Sequence, residues 1–266
     1  MHNHYAKPAW VNNAKGDVRC AGFELEFAGL DLQTAANAVA QAVNGEVIKD
    51  TQAECKVRHP QFGDFKIELD WSFAKNMARK RLEEQGASED AVLALMTDLA
   101  RQIVPLEVVC PPVPVDQLQV LDGMVKALQQ AGALGTSDSL IYAFGVHINT
   151  ELPALDSKTL VPYLQAYCVS QYWLMKAHDV DTLRRLTPYI DTYPKKYIHE
   201  VMTYTADTPL EQIMDDYLEY NPTRNRGMDL LPLFKQIDEA RVLAAVQDER
   251  VNARPTFHYR LPNCEI

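Results

Sequence analysis

The sequence lacks any run approaching the roughly 18 continuous apolar residues that cross a bilayer, and its opening stretch MHNHYAKPAWVNN lacks the apolar core of a secretory signal. Both absences lead us to expect a cytoplasmic protein with no membrane partner. Paired cysteines are missing too. Cys20, Cys55, Cys110, Cys168 and Cys264 are odd in number, widely separated and without C-x-x-C spacing, so free thiols in a reducing compartment are expected and a zinc site has little support. Positive charge is scarce: 26 Lys and Arg stand against 36 Asp and Glu, a formal net charge of −10. That balance excludes non-specific nucleic-acid binding and attachment to anionic membranes, both of which need a basic excess. Internal repeats, low-complexity segments and a Gly/Pro linker are absent as well.

With 266 residues, 47% of them hydrophobic, the chain can bury a full core. It reads as an N-terminal arm, residues 1–19, followed by a single domain, residues 20–266. The HNH triplet at residues 2–4 falls in the arm, which is expected to be disordered, and carries no chemistry. Strand-like runs cover Cys20–Ala28, Phe65–Ser72, Pro105–Val109, Ile141–Thr150 and Thr256–Leu261. Helical patterns cover Leu32–Val43, Glu89–Ile103 and Asp116–Ala131, the last closed by Gly132. A helical insert over about 157–245 precedes the final strand. Within it Thr208, Pro209 and Glu211 read as a capping box with proline at the first helical position. The class expected is α+β, with helices packed on one side of a sheet.

Side chains alternate faces along a strand, so Glu24 and Glu26 share a side of GFELEF while Phe23, Leu25 and Phe27 take the other. By the same count Glu68, Asp70 and Ser72 lie together in KIELDWSF. His147, Asn149 and Glu151 lie together in FGVHINTEL, as do His258 and Arg260 in TFHYRLPN. Glu107 opens the apolar run LEVVCPP. One reading is a solvated sheet face. The other is a face that holds divalent metal and nucleotide, since close carboxylates need positive charge between them, and hard oxygen ligands with imidazole suit Mg²⁺ or Mn²⁺.

The motifs GFELEF, ELDWS, EVVCPP, FGVHIN, NRGMDLLPL and TFHYRLPN, in that order over about residues 20–263, resemble the amidoligase family of carboxylate–amine ligases, relatives of glutamine synthetase and γ-glutamylcysteine synthetase. The resemblance implies a mainly antiparallel, curved, glutamine-synthetase-like sheet with one polar active face and helices on the other. It implies ATP and Mg²⁺ or Mn²⁺ as cofactors, with Glu24, Glu26, Glu107, His147 and His258 as metal ligands. Arg260 matches the arginine near the transferring phosphate, and Asn149 the polar position two residues after His147. Asp70 and Ser72 match a D-x-S element and are assigned to substrate or amine contact, Asp70 on the catalytic side and Ser72 with the nucleotide. Arg224 and Arg226 either grip a carboxylate or phosphate bidentately or form a solvated basic loop. His258 stands where the family has glutamate, and Asp229 where it has asparagine.

The activity implied is transfer of the γ-phosphoryl of ATP to a carboxylate, then attack by an amine to give an amide, on an amino acid or peptide substrate. No nucleophilic side chain is required. This agrees with the absence of G-x-S-x-G, of a Cys/His pattern and of a G-x-x-x-x-G-K-[ST] loop. A metal-dependent phosphohydrolase or phosphotransferase, and a degenerate non-catalytic binding member, are the competing readings. Several other residues are set aside. His178 and His199 read as surface or capping groups, and Lys195 and Lys196 as a solvated pair. Tyr163, Tyr167, Tyr172 and Trp173 lie at helical spacing that suggests core packing.

Overall fold

Every second side chain of CAGFELEF is apolar, and the segment forms strand β1 (Cys20–Phe27), with Leu25 and Phe27 in the core. The computed structural model describes residues 5–51, 53–69, 105–138, 144–186 and 188–266. The protein mixes helices with antiparallel strands. It divides into two units. One comprises Met1–Phe23, Pro112–Leu118 and Gly145–Asn263, the other Glu24–Pro111, Gln119–Phe144 and Cys264–Ile266, so the division falls inside β1.

In the second unit the strands run β2 (Glu46–Lys49), β3 (Glu54–His59), β4 (Gly63–Leu69), β5 (Leu106–Val109) and β1 in hydrogen-bonding order. Register explains the two faces. Cys55 pairs with Ile67, Ile67 with Val108 and Val108 with Leu25, giving a continuous apolar row. Helix α1 (Leu32–Val43) buries Ala35, Ala36, Val39 and Val43, and packs on β3 and β4. It starts where Asp31 accepts from Thr34 N at 2.8 Å and ends at Asn44 in the left-handed conformation. Helix α2 (Val120–Ala131) packs against α1 and closes at Gly132, φ +102. It begins four residues later than the periodicity predicts, because residues 114–117 first form a turn in which Gln117 N donates to Pro114 O. Burying side chains of this kind contributes about 1.5–3 kcal/mol each relative to leaving them exposed.

In the first unit β6 (Val113–Pro114) pairs with the start of β1, and β7 (Val146–Thr150), β9 (His258–Tyr259) and β8 (Met228–Asp229) lie side by side. The helices are α3 (Ser157–Ala177), α4 (Thr182–Leu186), α5 (Lys195–Val201), α6 (Leu210–Tyr220), α7 (Leu231–Ile237) and α8 (Glu239–Ala245). A tyrosine-rich core joins them: Tyr193 and Tyr197 meet edge to face at 5.2 Å, and Tyr197 and Tyr217 at 5.8 Å. No helix among the described residues is long and apolar enough to cross a membrane.

The structure corrects several expectations. Strands β2 and β3 fall in a stretch so rich in alternating Lys, Arg and Glu that no strand was expected there, and β8 interrupts the helical block. The last strand is only His258–Tyr259, extended by an isolated bridge between Glu151 and Thr256. Helix α6 takes Pro209, not Thr208, as its N-cap and makes no side-chain cap bond. Instead the Thr208 hydroxyl accepts from Thr205 N at 2.8 Å, bracing the preceding turn. Tyr167 is buried, but Tyr172 and Trp173 are 59% and 66% exposed, so they face outward on α3 instead of packing in the core. The expected helix Glu89–Ile103 and residues 70–72 of the second expected strand lie outside the described residues.

Candidate functional site

The second unit presents a row of four glutamates across four strands. Glu54 on β3 stands opposite Glu68 on β4, Glu68 opposite Glu107 on β5, and Glu107 opposite Glu26 on β1. Directly opposed side chains on one face lie about 4.5–5.5 Å apart at Cβ, and one carboxylate oxygen each of Glu26 and Glu107 lies within 4.8 Å of the other. The neighbouring row reads Lys56, Lys66, Val109, Glu24. Lysine therefore serves one end of the row: Lys66 Nζ reaches Glu68 at 2.6 Å and Glu54 at 3.7 Å, while Lys56 pairs with Asp50 and Glu54. At the other end Glu24, only 9% exposed, joins Glu26 and Glu107. Like charges this close, with Glu24 buried and Glu26 and Glu107 half-buried, favour a bound cation, and three carboxylates are hard oxygen donors of the kind Mg²⁺ and Mn²⁺ take. Cys110, completely buried nearby, has its thiol pushed up by desolvation and then by the Glu24 charge.

The first unit carries its own polar cluster. On β7 the polar side is the buried one, with His147 8% and Asn149 4% exposed. Ile148 pairs with Tyr259, and continuing that register sets Asn149 against His258 and His147 against Arg260. The rings of His147 and His258 lie 5.0 Å apart, and a ring nitrogen of each falls within 4.8 Å of the other. This imidazole pair suits Mn²⁺ and softer divalent ions better than Mg²⁺. Opposite His258 on β8 stands Asp229, 1% exposed.

Asp229 is held by the tyrosine core. Its Oδ1 accepts from Leu231 N at 2.9 Å and from the Tyr217 hydroxyl at 3.4 Å, while Tyr193 donates to Met228 O at 2.6 Å. Desolvation pushes the Asp229 carboxyl up to about 6, against the pull of the Leu231 amide, Arg260 and Arg224. Its Oδ2 and the Nε of Arg260 are both buried and have no hydrogen-bond partner among the described residues. Arg260 Nη1 donates to Arg224 O at 2.8 Å. The Arg224 guanidinium is pulled below its ordinary range first by burial and then by the Arg260 charge. Arg260, with one buried donor lacking a protein partner among the described residues, can bind an oxyanion, carboxylate or phosphoryl, beside the Arg224 guanidinium.

The candidates from sequence thus fall into groups. Glu24, Glu26 and Glu107 come together on one unit; His147, Asn149, His258, Arg260 and Arg224 come together on the other. Asp70 and Ser72 lie outside the described residues. Arg226 stands apart from the Arg224–Arg260 pair in its bonding: its guanidinium donates to Asn221 Oδ1 at 2.8 Å, Thr192 O at 3.3 Å and Tyr220 O at 3.4 Å, with Asp191 at 3.8 Å. Glu151 also does structural work, its carboxylate accepting from Asn13 Nδ2 at 2.9 Å and Cys20 N at 3.0 Å. His199, Lys195 and Lys196 are exposed, and His178 caps α3 while bonding the Tyr259 hydroxyl at 2.6 Å. Sequence reading missed the burial of Asp229, although a lone acid inside the apolar run GMDLLPL is a signal for it. It also missed Arg184, for which no spacing rule exists.

A family model described as "Putative amidoligase enzyme" matches residues 17–266. Neither the curated proteins nor the solved structures include a match to this chain.

Proposed function

Because the chain belongs to the amidoligase family, we propose that it is an ATP- and divalent-metal-dependent carboxylate–amine ligase that forms an amide or peptide-like bond through an acyl phosphate. The observation that carries this reading is the direct opposition of Glu26 and Glu107 beside the buried Glu24. In the proposal those three acids are divalent-metal ligands on the second unit, and His147 and His258 are imidazole metal ligands on the first. Bound Mg²⁺ or Mn²⁺ supplies charge neutralisation between the ATP phosphates and the incoming carboxylate.

The chain's own residues do the rest. Arg260, with Nε turned to no protein acceptor among the described residues, stabilises the phosphoryl group as it transfers, an electrostatic role of the oxyanion-hole kind. Arg224, beside it, orients the substrate carboxylate. Asn149, buried opposite His258 in register, contacts the nucleotide, and Arg226 braces the 221–227 turn to which it belongs. Asp70 is proposed for the amine and Ser72 for the nucleotide by family position alone. A glutamine-synthetase-like sheet is part of the same proposal. The test is ADP release with ATP, Mg²⁺ or Mn²⁺, and a panel of amino acids and peptides. Release that depends on the amine supports the ligase; amine-independent phosphate release makes the protein a phosphohydrolase.

A further inference from the structure

Arg184, on the short helix α4, is 5% exposed. Its guanidinium donates to three successive backbone carbonyls: Nη2 to Arg260 O at 2.7 Å, and Nη1 to Leu261 O and to Pro262 O, each at 2.7 Å. These carbonyls belong to the chain at and just after β9, where backbone pairing is sparse: of the three, Pro262 O also accepts from Val146 N at 3.0 Å. Buried carbonyls need donors, and one planar fork supplies them for all three.

The surrounding turn grips the same segment. His178 bonds the Tyr259 hydroxyl, Asn263 Nδ2 donates to Asp179 O at 3.0 Å, and Asp181 N donates to Asn263 Oδ1 at 3.1 Å. From the other side Arg260 N donates to Gly227 O at 2.9 Å and its guanidinium to Arg224 O. Gly145, two residues before His147, makes room for this arrangement. A Cβ at that position would stand 2.5 Å from Arg184 Nη2. The glycine of FGVHIN thus leaves room for the Arg184 guanidinium, which an added Cβ would have to displace.

We propose that Arg184 is a positioning residue: together with Gly145 it fixes the backbone of residues 260–262 so that the Arg260 side chain is held at Arg224. The fork geometry matters because a lysine ammonium is a point charge on a flexible stem and cannot span three carbonyls in one plane. This inference rests on the ligase reading of Arg260.

The test uses the full chain and three variants, Arg184→Lys, Gly145→Ala and the double substitution, with kcat, nucleotide KM and thermal midpoint measured together. Each single variant is expected to lower kcat on the order of 10- to 100-fold, as misplacement of a reacting group by about an ångström does. Nucleotide KM stays near the wild-type value, and the double variant is no worse than the poorer single one. Retained kcat with a lowered midpoint, or losses that multiply in the double variant, would overturn the proposal. Should the wild-type protein show no amine-dependent turnover, the ligase reading fails on its own. The clamp is then decided by amide hydrogen exchange over residues 259–263: faster exchange in Arg184→Lys upholds it, and unchanged exchange overturns it.

Discussion

Four glutamates stand in one row of the second unit, yet the two ends of that row are built differently. Glu54 and Glu68 have Lys56 and Lys66 on the adjacent row, and the result is a half-buried ion-pair network. Glu107 and Glu26 have Val109 and Glu24 there instead, and Glu24 is buried. The residue type is the same; the neighbours decide whether a carboxylate is paired with lysine or packed against further acids. An acidic row is therefore not by itself a site, and the difference lies in the row beside it.

The comparison breaks most sharply at the Glu26–Glu107 end. Glu26→Gln or Glu107→Gln should cut metal-dependent ATP turnover by at least roughly 100-fold, the scale on which removing one electrostatic stabiliser acts. The thermal midpoint should stay level or rise, because like charges directly opposed across strands oppose folding; unfolding of both variants would make these acids structural. Val109→Lys would convert that end into a copy of the other. We expect it to reduce Mn²⁺ affinity about tenfold or more while the protein stays folded, read by calorimetry, since one close cation offsets roughly 1.4 kcal/mol or more of the attraction.

Asp229 gives a smaller and pH-dependent effect. Its carboxyl is raised in the folded state to about 6 from an ordinary 3.8. The native state thus binds the extra proton, and stability is greatest below about pH 4 for this group and is lost as pH rises through 6, by up to roughly 3 kcal/mol. Asp229→Asn should remove that slope and leave the midpoint at pH 7.5 equal or higher. A wild-type stability curve flat between pH 4 and 6 would contradict this account of Asp229. The smallest effect belongs to the lysine-served end: Glu68→Gln should change stability by less than about 1 kcal/mol, as for a surface pair, and leave turnover near wild type.

Much of this architecture was legible. Alternation in CAGFELEF and LEVV, and the 3.6-residue period over Leu32–Val43 with Gly132 closing the second helix, specify β1, β5, α1 and the close of α2 because local sequence and burial agree there. β2 and β3 were hidden, since their outward side chains are charged and the segment looks like a solvated loop until its partner strands are known. Glu24, Glu26, His147, His258 and Arg260 could be placed on faces by counting, but the opposition of Glu26 to Glu107 is a matter of register between two strands far apart in the sequence. The roles of Arg184 and Arg226 were not readable at all, because each bonds backbone carbonyls, which carry no sequence signal.

The most direct test of the metal-holding acids is calorimetric titration of ATP into the protein with Mg²⁺ or Mn²⁺ and again with EDTA, for wild type and Glu26→Gln. The account predicts binding by the wild type only when metal is present, and its loss in Glu26→Gln with the fold intact. Metal-independent binding, or binding equal in the two proteins, would contradict it.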